Sequence, residues 1–215
     1  MKPIHFKYFE SPIEESIFDT NDEKHNCSFC EKSDFPIAEL DDSITIIANE
    51  NIDNVENVCL KCLQDKKYGF VQEIEHDALV TKEGMIIKAD HSSHTKESTY
   101  YTSYILPIEK QLDAIDKSKS LELIHTPPFR AWQGAKWLVH CNDFMKYIGT
   151  WQHEDFLKNA PDSNAEDYYE NICLYGGDDL YESQFGPNKS EYANCTFYAF
   201  ECLTCKEKRG YIDNI

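Results

Sequence analysis

Long apolar runs are missing: nowhere does the chain supply the roughly 18 to 20 consecutive apolar residues that a membrane-spanning helix needs. The opening MKPIHFKYFESP has no apolar core of the kind that directs secretion, so the expected location is the cytoplasm. Positive charge is scarce. Lysine and arginine number 21 against 39 aspartates and glutamates, for a formal charge of −18. Such a field repels a phosphate backbone instead of releasing counterions from it, which argues against direct nucleic-acid binding. It attracts basic proteins and speeds their encounter, so a cationic protein is the better-matched partner. No repeat with a period of roughly 20 to 50 residues recurs, which removes solenoids and propellers.

What the chain does contain is apolar and aromatic mass. At 41% apolar and 13% aromatic, it has too much to bury to stay disordered, even with 28% charged residues. Its 215 residues suffice for one core with a small satellite.

Nine cysteines in a chain without a secretion signal are expected in a reducing compartment, as ligands, nucleophiles or core residues, with disulfides second. Their spacing decides among these. Cys27, Cys30, Cys59 and Cys62 form two Cys-x2-Cys pairs separated by 28 residues. Two residues between ligands let the chain turn so that both sulfurs face one ion, and two such turns complete a tetrahedron. The pattern predicts a structural zinc in a closed four-thiolate shell, with no open position for a catalytic water. The run Ile44 to Ile47 between the pairs reads as a strand, and a helix opening at the second pair would make the module treble-clef-like.

Cys202 and Cys205 form a third pair, which needs two further ligands. The candidates are Cys141, its neighbour His140, and Cys195. Adjacent residues on a strand point to opposite faces, so His140 and Cys141 reach one ion together only if the chain turns there. A second zinc is the expectation. The alternatives are a redox pair at Cys202 and Cys205, or a reactive Cys141 beside His140 in a thiol-dependent enzyme. His91 and His94 have metal-compatible spacing but sit in a polar stretch where solvated side chains are the rule, and Cys173 reads as core.

Three segments emerge. Residues 1–75 hold an extended arm, interrupted by Pro3 and Pro12, and the four-cysteine module. Residues 76–124 read as a variable insertion, with a strand at 99–107 and a short amphipathic helix from 108. Residues 125–215 carry the core: a strand at Lys136 to Cys141, an Asn142 or Asp143 cap on a helix from Phe144 to Ile148, and a final β-hairpin around Cys202 and Cys205. Trp132 and Trp137 are expected in the core beside Phe129 and Phe144. Between 154 and 182, nine carboxylates stand against one lysine. That composition is ordinarily a solvated face, but Tyr168, Tyr169, Asp178, Asp179, Tyr181 and Glu182 also make a candidate docking surface for a basic partner.

Several blocks carry a family likeness: PIHFKYFESPI at 3–13, VCLKCL at 58–63, HTPPFRAWQGAKWLVHCNDFMKYIG at 125–149, and YAFECLTCKEKRGYID at 198–213. In these the chain resembles the CbrC family of bacterial proteins. It departs from the family's pattern at Glu31 and Lys206, where family members tend to place glycine after the second cysteine of a knuckle. The resemblance implies association with tolerance to a DNase colicin and an immunity-like role beside secreted toxins. Together with the charge, it leads to an expected α+β protein whose mixed core joins an N-terminal treble-clef-like zinc module to a C-terminal zinc-knuckle β-hairpin. The expected function is non-catalytic neutralisation of a basic, nuclease-type toxin, and the alternatives are the thiol-dependent enzyme or a zinc-stabilised adaptor.

Overall fold

β-branched and aromatic residues recur here in runs too short for long strands, and the computed structural model accordingly pairs them into several small sheets. It describes residues 4–20, 25–40, 44–48, 55–75, 78–88, 112, 114–174 and 180–214. In chain order these give β1 (Ile37–Glu39), β2 (Ile46–Ala48), β3 (Asn57–Cys59), α1 (Leu60–Gln64), β4 (Tyr68–Phe70), β5 (Gln72–Ile74), β6 (Ala78–Val80) and β7 (Ile86–Lys88). There follow α2 (Lys117–Leu123), β8 (Lys136–Trp137), β9 (Val139–His140), β10 (Asp143–Phe144), β11 (Lys146–Trp151), α3 (His153–Asn159), α4 (Ala165–Ile172), α5 (Tyr181–Gln184), β12 (Cys195–Glu201) and β13 (Lys208–Asn214). The class is mixed α+β.

Two sheets organise the larger half. One is antiparallel, β11-β12-β13; the other runs β7-β6-β5-β8, with β5 and β8 parallel. β12 is buried on both faces. Tyr198 and Phe200 enter a cluster with Tyr8, Phe129, Trp137 and Tyr147, while Phe197 and Ala199 enter a second with Trp151, Phe156, Tyr169 and Phe185. Phe129 is the hub of the first. Its ring stacks on Tyr147 at 4.4 Å between centroids and meets Trp137 and Tyr198 at 5.4 Å each. Truncating such a ring costs roughly 3–5 kcal/mol. Trp137 is fully buried, and its indole N–H donates to Gln72 Oε1 at 2.8 Å, so this donor is satisfied within the core.

β11 serves both clusters through a bulge. Tyr147 pairs with Phe200 and Gly149 with Ala199, so Ile148 is the extra residue. Without it, Trp151 would face the cluster of Tyr147; with it, Trp151 packs in the second. Gly149 takes φ +118, where a side chain is strained, and a Cβ there would lie 3.2 Å from Ser11 Oγ.

The N-terminal arm is extended except for a single 3-10 turn at Ile13–Glu15, which follows Pro12, and it ties the parts together. Tyr147 N–H donates to Tyr8 O (2.8 Å) and Glu10 N–H to Tyr147 O (2.9 Å); further on, Asp19 and Ile37 exchange backbone bonds at 2.7 and 3.0 Å. The Glu15 carboxylate accepts from Tyr147 O–H at 2.6 Å and Thr150 N–H at 2.9 Å.

The structure corrects two local expectations. The segment Phe144 to Ile148 is extended, not helical: Phe144 pairs with Val139 in β10, and Lys146 and Tyr147 pair with Glu201 and Phe200 in β11. The Asp143 carboxylate is engaged by Tyr8 O–H (2.8 Å) and Lys7 Nζ (3.1 Å) instead of capping a helix. Trp132 is 61% exposed, because Gln133 N–H is fixed to Asp213 Oδ2 at 2.7 Å and the turn at Gly134 (φ +101) leaves the indole outside the core. Residues 78–88, read within the insertion, supply two strands of the four-stranded sheet. His91, His94, the strand expected at 99–107 and most of the helix expected from 108 lie outside the described residues.

Gly149→Ala should lower stability by about 1–2 kcal/mol through its positive φ, read as a reduced midpoint in thermal or urea unfolding. His125 generates a pH dependence. Burial holds its pKa below the ordinary value, although its Nδ1 lies 2.8 Å from Tyr68 O. The unfolded chain therefore takes up this proton first, so stability should fall as pH drops below about 6.5. His125→Asn, which preserves a donor near Nδ1, should flatten that part of the stability–pH curve.

Candidate metal centres

The first centre is assembled by a turn and a strand–helix junction. At the turn, Glu31 N–H closes onto Cys27 O at 2.8 Å with Glu31 at φ +57, the left-handed geometry for which glycine is usual. β1 pairs with β3, and Ser28 N–H bonds Asn57 O at 2.8 Å, which brings Cys59 to the turn. Cys59 is then the N-cap of α1, its sulfur accepting from Cys62 N–H at 3.4 Å. Cys27 Sγ accepts from the N–H groups of Phe29 (3.4 Å) and Cys59 (3.3 Å). Donors aimed at sulfur favour thiolate over thiol.

The four sulfurs lie within 4.8 Å of one another, and Cys30 Sγ is 3.7 Å from Cys59 Sγ. A tetrahedron with metal–sulfur bonds of 2.3 Å has edges of roughly 3.8 Å, so the donor set fits one divalent ion. Cys27, Cys59 and Cys62 are essentially inaccessible. Tyr68 closes the site, stacked on Phe29 at 5.0 Å with its hydroxyl donating to Cys59 O at 3.0 Å. The protons show the same crowding. The contact with Cys59 draws Cys27 down to about 4; the contact with Cys27 drives Cys59 far up, and burial pushes Cys62 to about 12. Crowded thiols compete for charge, and a cation among them relieves that competition.

The second centre groups His140, Cys141, Cys202 and Cys205, whose donor atoms also lie within 4.8 Å of one another. The chain does turn between the first two. His140 pairs with Asp143, and Cys141 (φ +51) and Asn142 (φ +56) form the two-residue loop of a tight hairpin with both centres left-handed. That turn removes the strand alternation which would separate neighbours, so His140 Nδ1 stands 3.5 Å from Cys141 Sγ and 3.3 Å from Cys205 Sγ. Cys202–Lys206 repeats the first knuckle: Lys206 N–H bonds Cys202 O at 3.1 Å with Lys206 at φ +66, and Thr204 N–H donates to Cys202 Sγ at 3.4 Å. Burial pushes the Cys202 thiol up, but the N–H groups of Cys205 and Thr204 and the contact with His140 outweigh it and bring the thiol to about 6.

Glu207 is a participant that spacing did not reveal. Its Oε2 is 3.5 Å from His140 Nε2, and Arg209 Nε holds its Oε1 at 2.9 Å. A carboxylate on the far nitrogen fixes the ring so that Nδ1 faces the sulfurs, as outer partners of metal-bound histidines do. The backbone of Glu207 also closes the knuckle, Cys202 N–H donating to Glu207 O at 2.8 Å. Cys195, the other candidate ligand, begins β12 while Cys202 follows its end, roughly 23 Å away along an extended strand.

The acidic segment folds as α3, α4 and α5. Its carboxylates concentrate in the helices' first turns, Glu154 and Asp155, Glu166 and Asp167, and Glu182, where they oppose the positive end of the helix dipole. Tyr169 and Tyr181 are 1% and 2% exposed, packed on Phe156 beneath the helices, so they do not reach the surface read for them. Tyr168 is half-buried against Trp151 at 6.5 Å, and Glu182 is exposed. Asp178 and Asp179 lie outside the described residues.

The arrangement defines a mixed α+β protein with two preassembled cysteine-rich sites, one of four thiols and one of three thiols and an imidazole, each able to hold a metal ion and compatible with zinc. Over residues 4–214 the chain matches the uncharacterised protein family UPF0167, of which CbrC is the known member, and it belongs to that family. No solved structure matches it. Among the described residues no helix is long and apolar enough to cross a membrane.

Glu207→Gln should weaken Co2+ binding at the three-sulfur centre by about 10–100-fold by loosening the ring, and leave the four-sulfur centre unchanged. The two are read separately in the visible absorption bands of bound cobalt.

Proposed function

We propose that both centres hold zinc, the first in a structural, treble-clef-like site and the second in a zinc-knuckle hairpin. We further propose that the protein is a non-catalytic, cytoplasmic immunity or tolerance protein that neutralises a basic toxin of the nuclease class. The observation that carries the toxin reading is the charge, −18 over the chain, with Glu154, Glu166, Asp167, Glu170 and Glu182 exposed on one helical segment. Nuclease domains are basic because they hold phosphate backbones, and an acidic surface both steers toward them and competes for the same cationic groups. Membership in the family of CbrC supports the same reading through the resemblance to colicin-tolerance proteins.

The thiol-enzyme alternative is less well matched in its Cys141–His140 form. A nucleophilic cysteine needs a depressed pKa, whereas contact with Cys205 pushes the Cys141 thiol up to about 11. His140 is shared between two sulfurs instead of being oriented on one. Ligand roles account for both residues.

Purified protein should carry two zinc equivalents by elemental analysis, and Cys59→Ser should lose one of them together with the near-UV signal of the Phe29–Tyr68 stack. With the nuclease domain of a DNase colicin as probe, Glu166→Gln, Glu170→Gln and Glu182→Gln together should reduce the association rate about tenfold at low salt, the difference vanishing as salt rises. An unchanged rate at low salt removes this surface from the reading.

A further inference from the structure

The two centres share a chemistry but differ in what surrounds the sulfurs. At the first, Cys27, Cys59 and Cys62 are buried, and Cys27 and Cys59 receive backbone N–H donors. At the second, Cys141 and Cys205 are exposed, and Cys202 alone is buried with a donated N–H. An N–H bond withdraws electron density from a thiolate and burial denies access, so the reactive sulfurs of a site are the exposed ones without donors. Both belong to the second centre.

The scaffolds differ as well. The strands around the first centre are three residues each and α1 is five, and three of the four sulfurs are buried inside the apolar cluster these short elements share with Phe18, Tyr68 and Phe70. The second centre is held by contacts that need no ion. Lys119 Nζ binds Asn142 O at 2.8 Å, fixing the turn that carries Cys141. Asp143, on the same turn, is bonded by Tyr8 and Lys7, and the Cys202 knuckle caps the seven-residue pairing of β12 with β13. Glu207 orients His140 from behind. This ligand set persists when an ion leaves.

We propose that the second centre is a metal-exchange site, through which the protein passes Zn2+ to, or accepts it from, a thiolate-bearing or chelating acceptor, while the first centre retains its ion. The proposal rests on the zinc reading above. In the outward direction an acceptor thiolate bonds to Zn2+ from the solvent side. The bond to Cys205 Sγ breaks, and that sulfur keeps the electron pair and takes a proton from water. A second substitution releases Cys141 in the same way; further acceptor donors then displace Cys202 Sγ and His140 Nδ1, each keeping its electron pair, and the ion departs still divalent, so no oxidant or reductant is consumed. Cys202 and His140, held by Thr204 and Glu207, remain in place to receive the next ion.

The test uses the full chain loaded with two equivalents of Zn2+, mixed with excess pyridylazoresorcinol as the acceptor whose colour reports transfer, with and without glutathione as a thiolate. One equivalent should transfer at least about tenfold faster than the other, with a rate that rises in proportion to acceptor concentration. Cys141→Ser and Cys205→Ser should each abolish the fast equivalent while far-UV circular dichroism stays unchanged. Should these variants misfold, cadmium NMR of the unaltered protein gives the same answer, since the three-sulfur resonance should exchange on titration with glutathione while the four-sulfur resonance stays fixed. Both equivalents leaving together, a fast phase independent of acceptor, or exchange at the four-sulfur resonance overturns the exchange role and leaves the zinc reading standing. Failure to bind zinc at either centre overturns both.

Discussion

Four sulfurs within 4.8 Å of one another cannot all carry charge without a counter-charge among them, and the N-terminal half is arranged around that constraint. The strands there are three residues each, and the apolar cluster of Phe18, Val58, Leu63, Tyr68 and Phe70 has the sulfurs of Cys27, Cys59 and Cys62 within it. What gives them a common geometry is the convergence of one turn and one helix start on a single point. The second cluster obeys the same rule with one imidazole in place of a sulfur, which lowers the charge to be balanced. It borrows its rigidity from a larger sheet. The two sites therefore stand in different relations to the fold: the first organises its surroundings, and the second is carried by them.

Much of this was readable in the residues, for identifiable reasons. Cys-x2-Cys is a local geometric device, so two of the pairs came out as turns presenting sulfur and the Cys59–Cys62 pair as a helix start, and the strand expected from Ile44 to Ile47 corresponds to β2. Glu31 and Lys206 stand where glycine is usual and both take positive φ, so the backbone geometry persists without the residue that makes it easy. The ligand set of the second site was open among Cys141, His140 and Cys195, because the choice turned on whether the chain reverses after His140. A Cys-Asn pair at positive φ is a poor turn signal compared with Asn-Gly.

The misread elements share a cause. Phe144 to Ile148 is apolar enough for either a helix or a strand buried on both faces, and periodicity in five residues does not separate them. The deciding information is tertiary: β12 presses on β11, and Asp143 is taken by Tyr8 and Lys7 from more than a hundred residues away. The tyrosines of the acidic segment were misplaced for a related reason. Charge marks where water is, but along α4 the faces alternate, and Tyr169 sits on the inner one next to exposed Glu170. Trp132 erred the other way, since nothing local reveals that Asp213 would hold its neighbour's backbone.

The arm that is written first is also the one whose partners are written late. Phe9 bridges to Tyr147, and the backbone of Tyr8 and Glu10 bonds that same residue. On a ribosome adding about 5–20 residues per second, this segment waits on the order of 10 s before the strand it joins exists. During that interval Tyr8 and Phe9 lack the late strands they pack on, while Phe6 and Phe18 can already meet the four-cysteine module. Docking of the arm is thus a late event in biosynthesis, and it seals a structure whose parts have already formed.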